Sequence, residues 1–504
     1  MAFNLNSDPN EKLLFPVNDG ESTSSEDFLT EKEIDPKKQK KIKAQIYHEP
    51  EYISPYDNGL LQKLDIFFQI SKRKSNFITE ILGGLTMFFT TIYILKKQPD
   101  ALPKDMDQLS IIWATCLVSG FGSIALGIFS GFPLVLSMAI GENFYFTETL
   151  CHYLGYSWET ALSFHFFEGI ICFIVAFLIP KSNFISAIPS SFRIGLSYGI
   201  GLFLGKLGLV DVLHLDSSYV FKPSYEALLG ILTLVLVVFG VSRKYRWIFV
   251  ISVLVCTIFS IIIRASIDDL NMETWKFPNL SKSAFKLNFH WKNAIPLYFI
   301  IFLALENLFN VVCTILTVIQ FAFLDKIRFD ANGFEKLISS SNTNKFRNIL
   351  VVNGFFVIVG SLLGTTPNVV YIESSVAAAV GARTGFASVI TGLLFLLSAL
   401  FYPIILLIPP EATGSLLLYT NILIFTMLKF MEFDNIIEII PVIVSTILIP
   451  IFSSITKGVS FGYLVLLISF IFGKNKKWKE INLTMAVLGV IAASQIFIPR
   501  YWFA

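Results

Sequence analysis

Apolar runs of ~20 residues, each long enough to cross a ~30 Å hydrocarbon layer as a helix, recur along this chain of 504 residues with short polar interruptions between them. They fall at 77–97, 109–130, 133–150, 160–180, 190–210, 224–241, 246–265, 295–323, 346–363, 369–383, 386–407, 413–430, 436–453 and 457–472. The pattern predicts an all-α polytopic membrane protein with about fourteen spans, the third and tenth irregular, in a membrane domain covering 77–472. A polar stretch, 1–76, precedes the first run and reads as a cytoplasmic tail, because no short apolar core follows a basic start as it would in a cleaved signal. Near its end Leu60, Leu61, Leu64, Phe67 and Phe68 recur at helical spacing before Lys72, Arg73 and Lys74, the pattern of a helix lying on the membrane surface. A linker carrying a few apolar residues fits the same stretch. After the last run, 473–504 combines a basic loop with an apolar tail in which 481–498 suits either a further crossing or an interfacial helix.

Basic residues set the orientation, since loops rich in Lys and Arg stay on the cytoplasmic side. With the amino terminus inside and fourteen crossings, four groups share that side: Lys72 to Lys74; Arg243, Lys244 and Arg246; Lys326 to Arg328 with Lys345 and Arg347; and Lys474 with Lys476, Lys477 and Lys479. Lys96, Lys97 and Lys104 fall outside and are the exception. The same count puts 268–291 outside, with the glycosylation sequon formed by Asn279, Leu280 and Ser281. Composition agrees: hydrophobic residues make up 54% and charged residues 15%, where a soluble chain carries about 25% charged. A net charge of +2 gives no basis for a nucleic-acid partner. Cys116, Cys151, Cys172, Cys256 and Cys313 lie in or beside apolar runs without metal-ligand spacing and read as helix-packing residues.

Fourteen spans divide into two sets of seven, and an odd number per repeat inverts the second half relative to the first. In each half the third segment is broken. Residues 137–143 read SMAIGEN, and 365–368, TTPN, lead to Glu373, Ser374 and Ser375. Corresponding interrupted segments in two halves point to the binding site of a transporter built on inverted repeats. Four carboxylates, Glu142, Glu168, Glu306 and Glu373, lie inside apolar stretches, where an unpaired one costs at least ~2.5 kcal/mol, so each is a candidate for handling substrate, ion or proton. A carboxylate in such surroundings can take up and release a proton near neutral pH, which is what proton symport requires. His165, three residues before Glu168 on one helix face, reads as a packing or hydrogen-bonding pair. No nucleophile with a partnering base, HExxH motif or phosphate loop marks an enzyme, and no cofactor is implied.

Three blocks carry a resemblance: 78–99, with Tyr93, Gln98 and Pro99; 187–203, ending in Gly199, Gly201 and Phe203; and 364–385, running through Tyr371, Glu373 and Ser374 to Arg383, Thr384 and Gly385. Together they are similar to the AzgA-type hypoxanthine-adenine-guanine permeases, nucleobase-cation symporters with the uracil permease fold. The likeness runs in order over 76–472. It implies a core domain of spans 1–4 and 8–11, a gate domain of spans 5–7 and 12–14, a purine held between the half-helices of spans 3 and 10, and an elevator-like movement of core against gate. It also implies a homodimer in the plasma membrane. Carried over by position, the family's binding residues fall on Glu373, Asn143, Gly141, Phe144 and Tyr145, with Ser374 beside them. A purine offers ring N–H donors to a carboxylate and a flat face to an aromatic ring, so these residue types suit it.

Span 8 departs from the family. Where its motif has two aspartates three residues apart, this chain has Asn307 and Asn310, which keep the hydrogen bonds and lose the titration. Glu306 and Glu142 are extra carboxylates nearby. Two readings of coupling follow: Glu306, Glu142 or Glu373 handles a proton, or transport is equilibrative. A same-fold carrier of a pyrimidine, xanthine, urate or an anion is the alternative to a purine importer. An anion carrier would present a basic residue at the half-helices, whereas this chain presents Glu142 and Glu373.

Overall fold

The computed structural model describes residues 54–57, 59–178, 190–215, 220–221, 223–266, 275–291, 295–322, 343–426, 436–452 and 455–472, with the single positions 489 and 493. The polar tail up to residue 53, the basic groups at 326–328 and 474–479 and the segment 481–498 lie outside the described residues apart from those two positions.

The described residues are helical almost throughout. An amphipathic helix α1 (Gly59–Phe68) leads to α2 (Phe77–Thr91) and α3 (Ile94–Ala101), which together make span 1. Then come α4 (Gln108–Ser130), strand β1 (Leu136–Met138), the half-helix α5 (Ile140–Phe144), π-helical turns at Tyr145–Tyr153 and α6 (Trp158–Leu178). Helices α7 (Ser190–Val212), α8 (Tyr225–Ser242) and α9 (Ile248–Ser266) complete the first half. The second half repeats the order with α10 (Ile295–Ala322), α11 (Thr343–Leu363), β2 (Asn368–Val370), the half-helix α12 (Ser374–Val380), α13 (Gly385–Leu400) with the short α14 (Tyr402–Ile405), α15 (Pro410–Phe425), α16 (Ile436–Phe452) and α17 (Ile455–Phe472). Seven of these segments are individually long and apolar enough to cross a membrane, and the order of elements fits fourteen spans with the third and tenth broken.

Local chemistry explains where helices begin and bend. Asn76 accepts from Thr79 N at 2.9 Å, Asp107 from Ser110 N at 3.1 Å and Ser224 from Ala227 N at 3.2 Å, each satisfying an orphan N–H at a helix start. Span 1 breaks after Thr91, where Thr90 and Thr91 return their hydroxyls to carbonyls three and four residues back, a bond that competes with the helix ladder. Tyr93 sits at this junction, at the start of α3.

The two broken spans complete each other. β1 and β2 pair antiparallel with Leu136 opposite Val370, Ser137 opposite Val369 and Met138 opposite Asn368. Ala139 N to Pro367 O, 2.9 Å, and Tyr371 N to Val135 O, 3.0 Å, extend the ladder at both ends. Backbone that leaves the helix inside a membrane must find such partners, because hydrocarbon offers none.

Helix packing falls into two groups. α4 packs on α13, α6 on α11 and α10, and α2 on α13 and α12; separately, α7 packs on α15 and α16, α16 on α17, and α8 on α15 and α9. The α4–α13 seam is glycine-lined: a Cβ on Gly385 would meet Gly127 Cα at 2.8 Å, and one on Gly392 would meet Gly120 O at 2.5 Å. Small residues at such seams let membrane helices approach closely.

Residues of two of the basic groups meet at one end of the spans. Arg73 Nη1 donates to Gly131 O and Arg383 O at 2.6 and 2.9 Å, and Arg246 Nη1 to Thr79 Oγ1 at 3.2 Å, so these cations gather at one end. At the other end the segment 275–291 ties Trp275 to Leu400 O, Phe285 to Leu362 O, Asn288 to Glu159 O and Lys282 to Asp107. Lys97, an exception to the charge rule, is neutralised there by Asp211 at 2.6 Å.

Candidate functional site

Between the strand pair and α7 lies a cavity enclosing ≈490 Å³ of atom-free space, mouth included. One wall comes from the broken spans and α10: Gly141 and Glu142 on α5, Tyr371 and Glu373 between β2 and α12, Glu306, Asn310 and Thr314 on α10. The facing wall is apolar, made by Ile200, Phe203 and Leu204 of α7, while Tyr93 enters from the break in span 1. Among the described residues that line it, none is Lys, Arg or His.

Glu373 sits at the foot of α12, 1% exposed, and accepts from Tyr93 OH at 2.9 Å. One carboxylate oxygen is thereby held in place. Tyr371 is fixed too, its hydroxyl donating to Met138 O, and its ring stacks beside that of Tyr93 at 6.4 Å between centroids.

The sequence-predicted residues divide between the cavity and its supports. Glu373, Gly141, Asn310, Glu142 and Glu306 line the cavity. Asn143 lies behind it, donating to Gln98 Oε1 and accepting from Thr366 Oγ1, while Gln98 Nε2 donates to Thr365 and Thr366 at 3.1 and 2.7 Å. This network joins spans 1, 3 and 10. Ser374 Oγ accepts from Val135 N at 3.0 Å and so braces the strand pair. Phe144 is 43% exposed, and Tyr145 tilts against Phe302 at 6.1 Å, so neither ring lines the cavity.

Asn307 explains part of the departure in span 8. Its Nδ2 donates to Asn368 O at 3.2 Å and its Oδ1 accepts from Asn353 Nδ2 at 2.7 Å, while Asn353 also accepts from Asn368. An ionised aspartate has no proton for the β2 carbonyl. The amide here holds β2 to α10, whereas Asn310, one turn on, faces the cavity. The Arg383-Thr384-Gly385 block is likewise a brace: Glu80 accepts from Arg383 N at 2.8 Å and Thr384 N at 3.3 Å, fixing the start of α13.

Sequence reasoning missed Tyr93 and Tyr371 as site residues. The available signal was a phenol inside an apolar span, since a buried hydroxyl normally finds a partner; the partner itself, 280 residues away for Tyr93, was not legible.

The chain matches the Permease family (Xan_ur_permease) over residues 78–450. It is 30% identical over 461 residues to adenine permease AdeQ of Escherichia coli (strain K12), covering 89% of this chain and 98% of the relative. It is 26% identical over 454 residues to guanine/hypoxanthine permease PbuG of Bacillus subtilis (strain 168), covering 84% and 97%. Among solved structures, the murine Solute Carrier 26 family member A9 (Slc26a9) anion transporter in the inward-facing state aligns at 13% identity with a TM-score of 0.54, covering 86% of this chain and 75% of that one, and shares the fold. With paired broken spans, a cavity between them and a family match across the membrane region, the chain belongs to the Permease family and is a multi-pass integral membrane transporter, not an enzyme.

Proposed function

We propose that this protein imports purine nucleobases, adenine, guanine or hypoxanthine, across the plasma membrane, with its amino terminus in the cytoplasm. The observation that carries the reading is Glu373, a fully buried carboxylate on the cavity wall with one oxygen held by Tyr93; in this reading the other oxygen accepts from a purine's ring N–H. Phe203 and Tyr371 offer aromatic surface to the ring, and Asn310 and Thr314 offer polar groups to its edge. The relatives named adenine and guanine/hypoxanthine permeases support the same substrate class. The absence of a basic lining residue argues against an anion despite the fold shared with an anion transporter. In this reading the group carrying α4, α6 and α13 moves against the group carrying α7 and α15, taking the half-helices and their cargo from one side to the other, within a homodimer.

The test is uptake of radiolabelled adenine, guanine, hypoxanthine, xanthine and uracil into cells expressing the chain. Saturable uptake of one or more of the first three, competed by unlabelled purines, is expected. Transport of uracil or xanthine alone would move the protein to the alternative substrate class.

A further inference from the structure

Behind the cavity wall, Glu142 faces a pair on the neighbouring span. His165 Nδ1 meets Glu168 Oε2 at 2.6 Å on α6, and one ligand-capable atom from each of Glu142, His165 and Glu168 lies within 4.8 Å of the others. The three are 2%, 0% and 0% exposed. Among the described residues, both Glu142 oxygens, Glu168 Oε1 and His165 Nε2 have no hydrogen-bond partner. Phe146 stacks on the imidazole at 5.6 Å and closes that side with a ring. The titratable groups facing the cluster are Glu306 from α10, Cys172 further along α6 and, beside Glu306, Tyr145 of the π-helical turns.

Counting charge leaves the cluster incomplete. If His165 were protonated and both carboxylates ionised, the three side chains would carry one net negative charge, which a buried membrane site bears only when a cation offsets it. A proton on Glu142 brings it to zero. Glu142 is also the member that lines the cavity; both its oxygens are closed to solvent in this conformation, and a turn of the side chain towards the cavity would let a hydronium ion pass its proton to one of them and take it back by the reverse step, with no other bond changing. We propose that Glu142, His165 and Glu168 form the proton-binding site that couples this carrier to a pH gradient. The coupling half of the proposal rests on the purine reading; the proton site itself does not. A cluster carried on α5 and α6 binds its proton on the same moving unit as the cargo, which is what symport needs.

The test uses the purified full chain in proteoliposomes under an inward-directed pH gradient of one unit, with radiolabelled adenine and hypoxanthine as probes. The wild type should accumulate its purine towards about tenfold above the outside level, the limit for one proton per purine. Glu168→Gln and His165→Asn, neither of which lines the cavity, should stop at the outside level while purine–purine exchange stays within about twofold of wild type. Loss of exchange together with accumulation would assign the cluster a structural role and overturn the proposal, as would wild-type accumulation that follows a sodium gradient or collapses with a metal chelator. A second readout needs no purine: the infrared carboxylic C=O band gained between about pH 8 and 5 should be diminished in Glu142→Gln. A band that this substitution leaves unchanged overturns the proton site. If the wild type exchanges no purine at all, the substrate reading fails and the infrared arm still decides the site.

Discussion

Replacing Glu373 with Gln is the sharpest probe of the substrate reading. The side chain is 1% exposed and one of its oxygens already accepts from Tyr93 at 2.9 Å. In Glu373→Gln the amide oxygen keeps Tyr93, so the NH₂ group turns to the cavity and meets the purine's ring N–H donor to donor. The substrate then loses one hydrogen bond to an ionised acceptor, a contribution of ~1.5–3 kcal/mol. At about 1.4 kcal/mol per tenfold, Kd should rise by roughly 10- to 150-fold. Folding should change little, since Tyr93 remains satisfied. Tyr93→Phe keeps the charge and loses only its orienting bond, so the expected weakening is about 1 kcal/mol, roughly fivefold. Binding of radiolabelled purine to purified protein, with thermal unfolding of the same samples, separates the two effects. A Glu373→Gln protein that binds its purine as tightly as wild type would remove Glu373 from the site.

Three further outcomes follow from the supports of the cavity. Asn143→Ala strands Gln98 Oε1 in a buried network, a cost of ~1–3 kcal/mol that should lower the unfolding midpoint in detergent; an unchanged midpoint would refute the bracing role. Gly385→Ala places a methyl against the Gly127 backbone, where no side chain can swing aside, and should destabilise by ~1–3 kcal/mol, whereas Gly59→Ala meets nothing within 4 Å and should be neutral. Equal midpoints for those two variants would deny the tight seam. A cysteine at the exposed position 279 should react with an impermeant maleimide in intact cells, and protection from it would overturn the span count.

Span positions were legible because a membrane helix needs only length and apolarity, both local properties of the chain. The Asn76, Asp107 and Ser224 caps confirm helix starts that the apolar runs placed within a few residues. The breaks in spans 3 and 10 were legible as Gly, Pro and polar residues, yet their mutual pairing was not, since nothing in LSM at 136–138 names NVV at 368–370 as its partner. Residue roles blurred for a similar reason. Asn307 and Asn310 stand three apart on one helix, but a 60° difference in direction sends one to the β2 carbonyl and the other to the cavity. His165 and Glu168 were visible as a pair, while their third member, Glu142, reaches them only through the packing of a different span.

The strand pair also bears on how the protein is made. β1 leaves the ribosome about 230 residues before β2, so at ~5–20 residues per second its backbone waits roughly 10–50 s for its partner. During that time the β1 groups that pair with β2 sit at membrane depth with no mate, a condition lipid does not tolerate, while Leu136 N keeps Ser123 Oγ of its own half at 3.0 Å. The nascent first half must therefore be sheltered, by the insertion machinery or by its own temporary contacts, until the second half arrives. Biogenesis should then be all-or-none: seven spans made alone should be degraded, and the two halves expressed as separate polypeptides should be recovered only when made together.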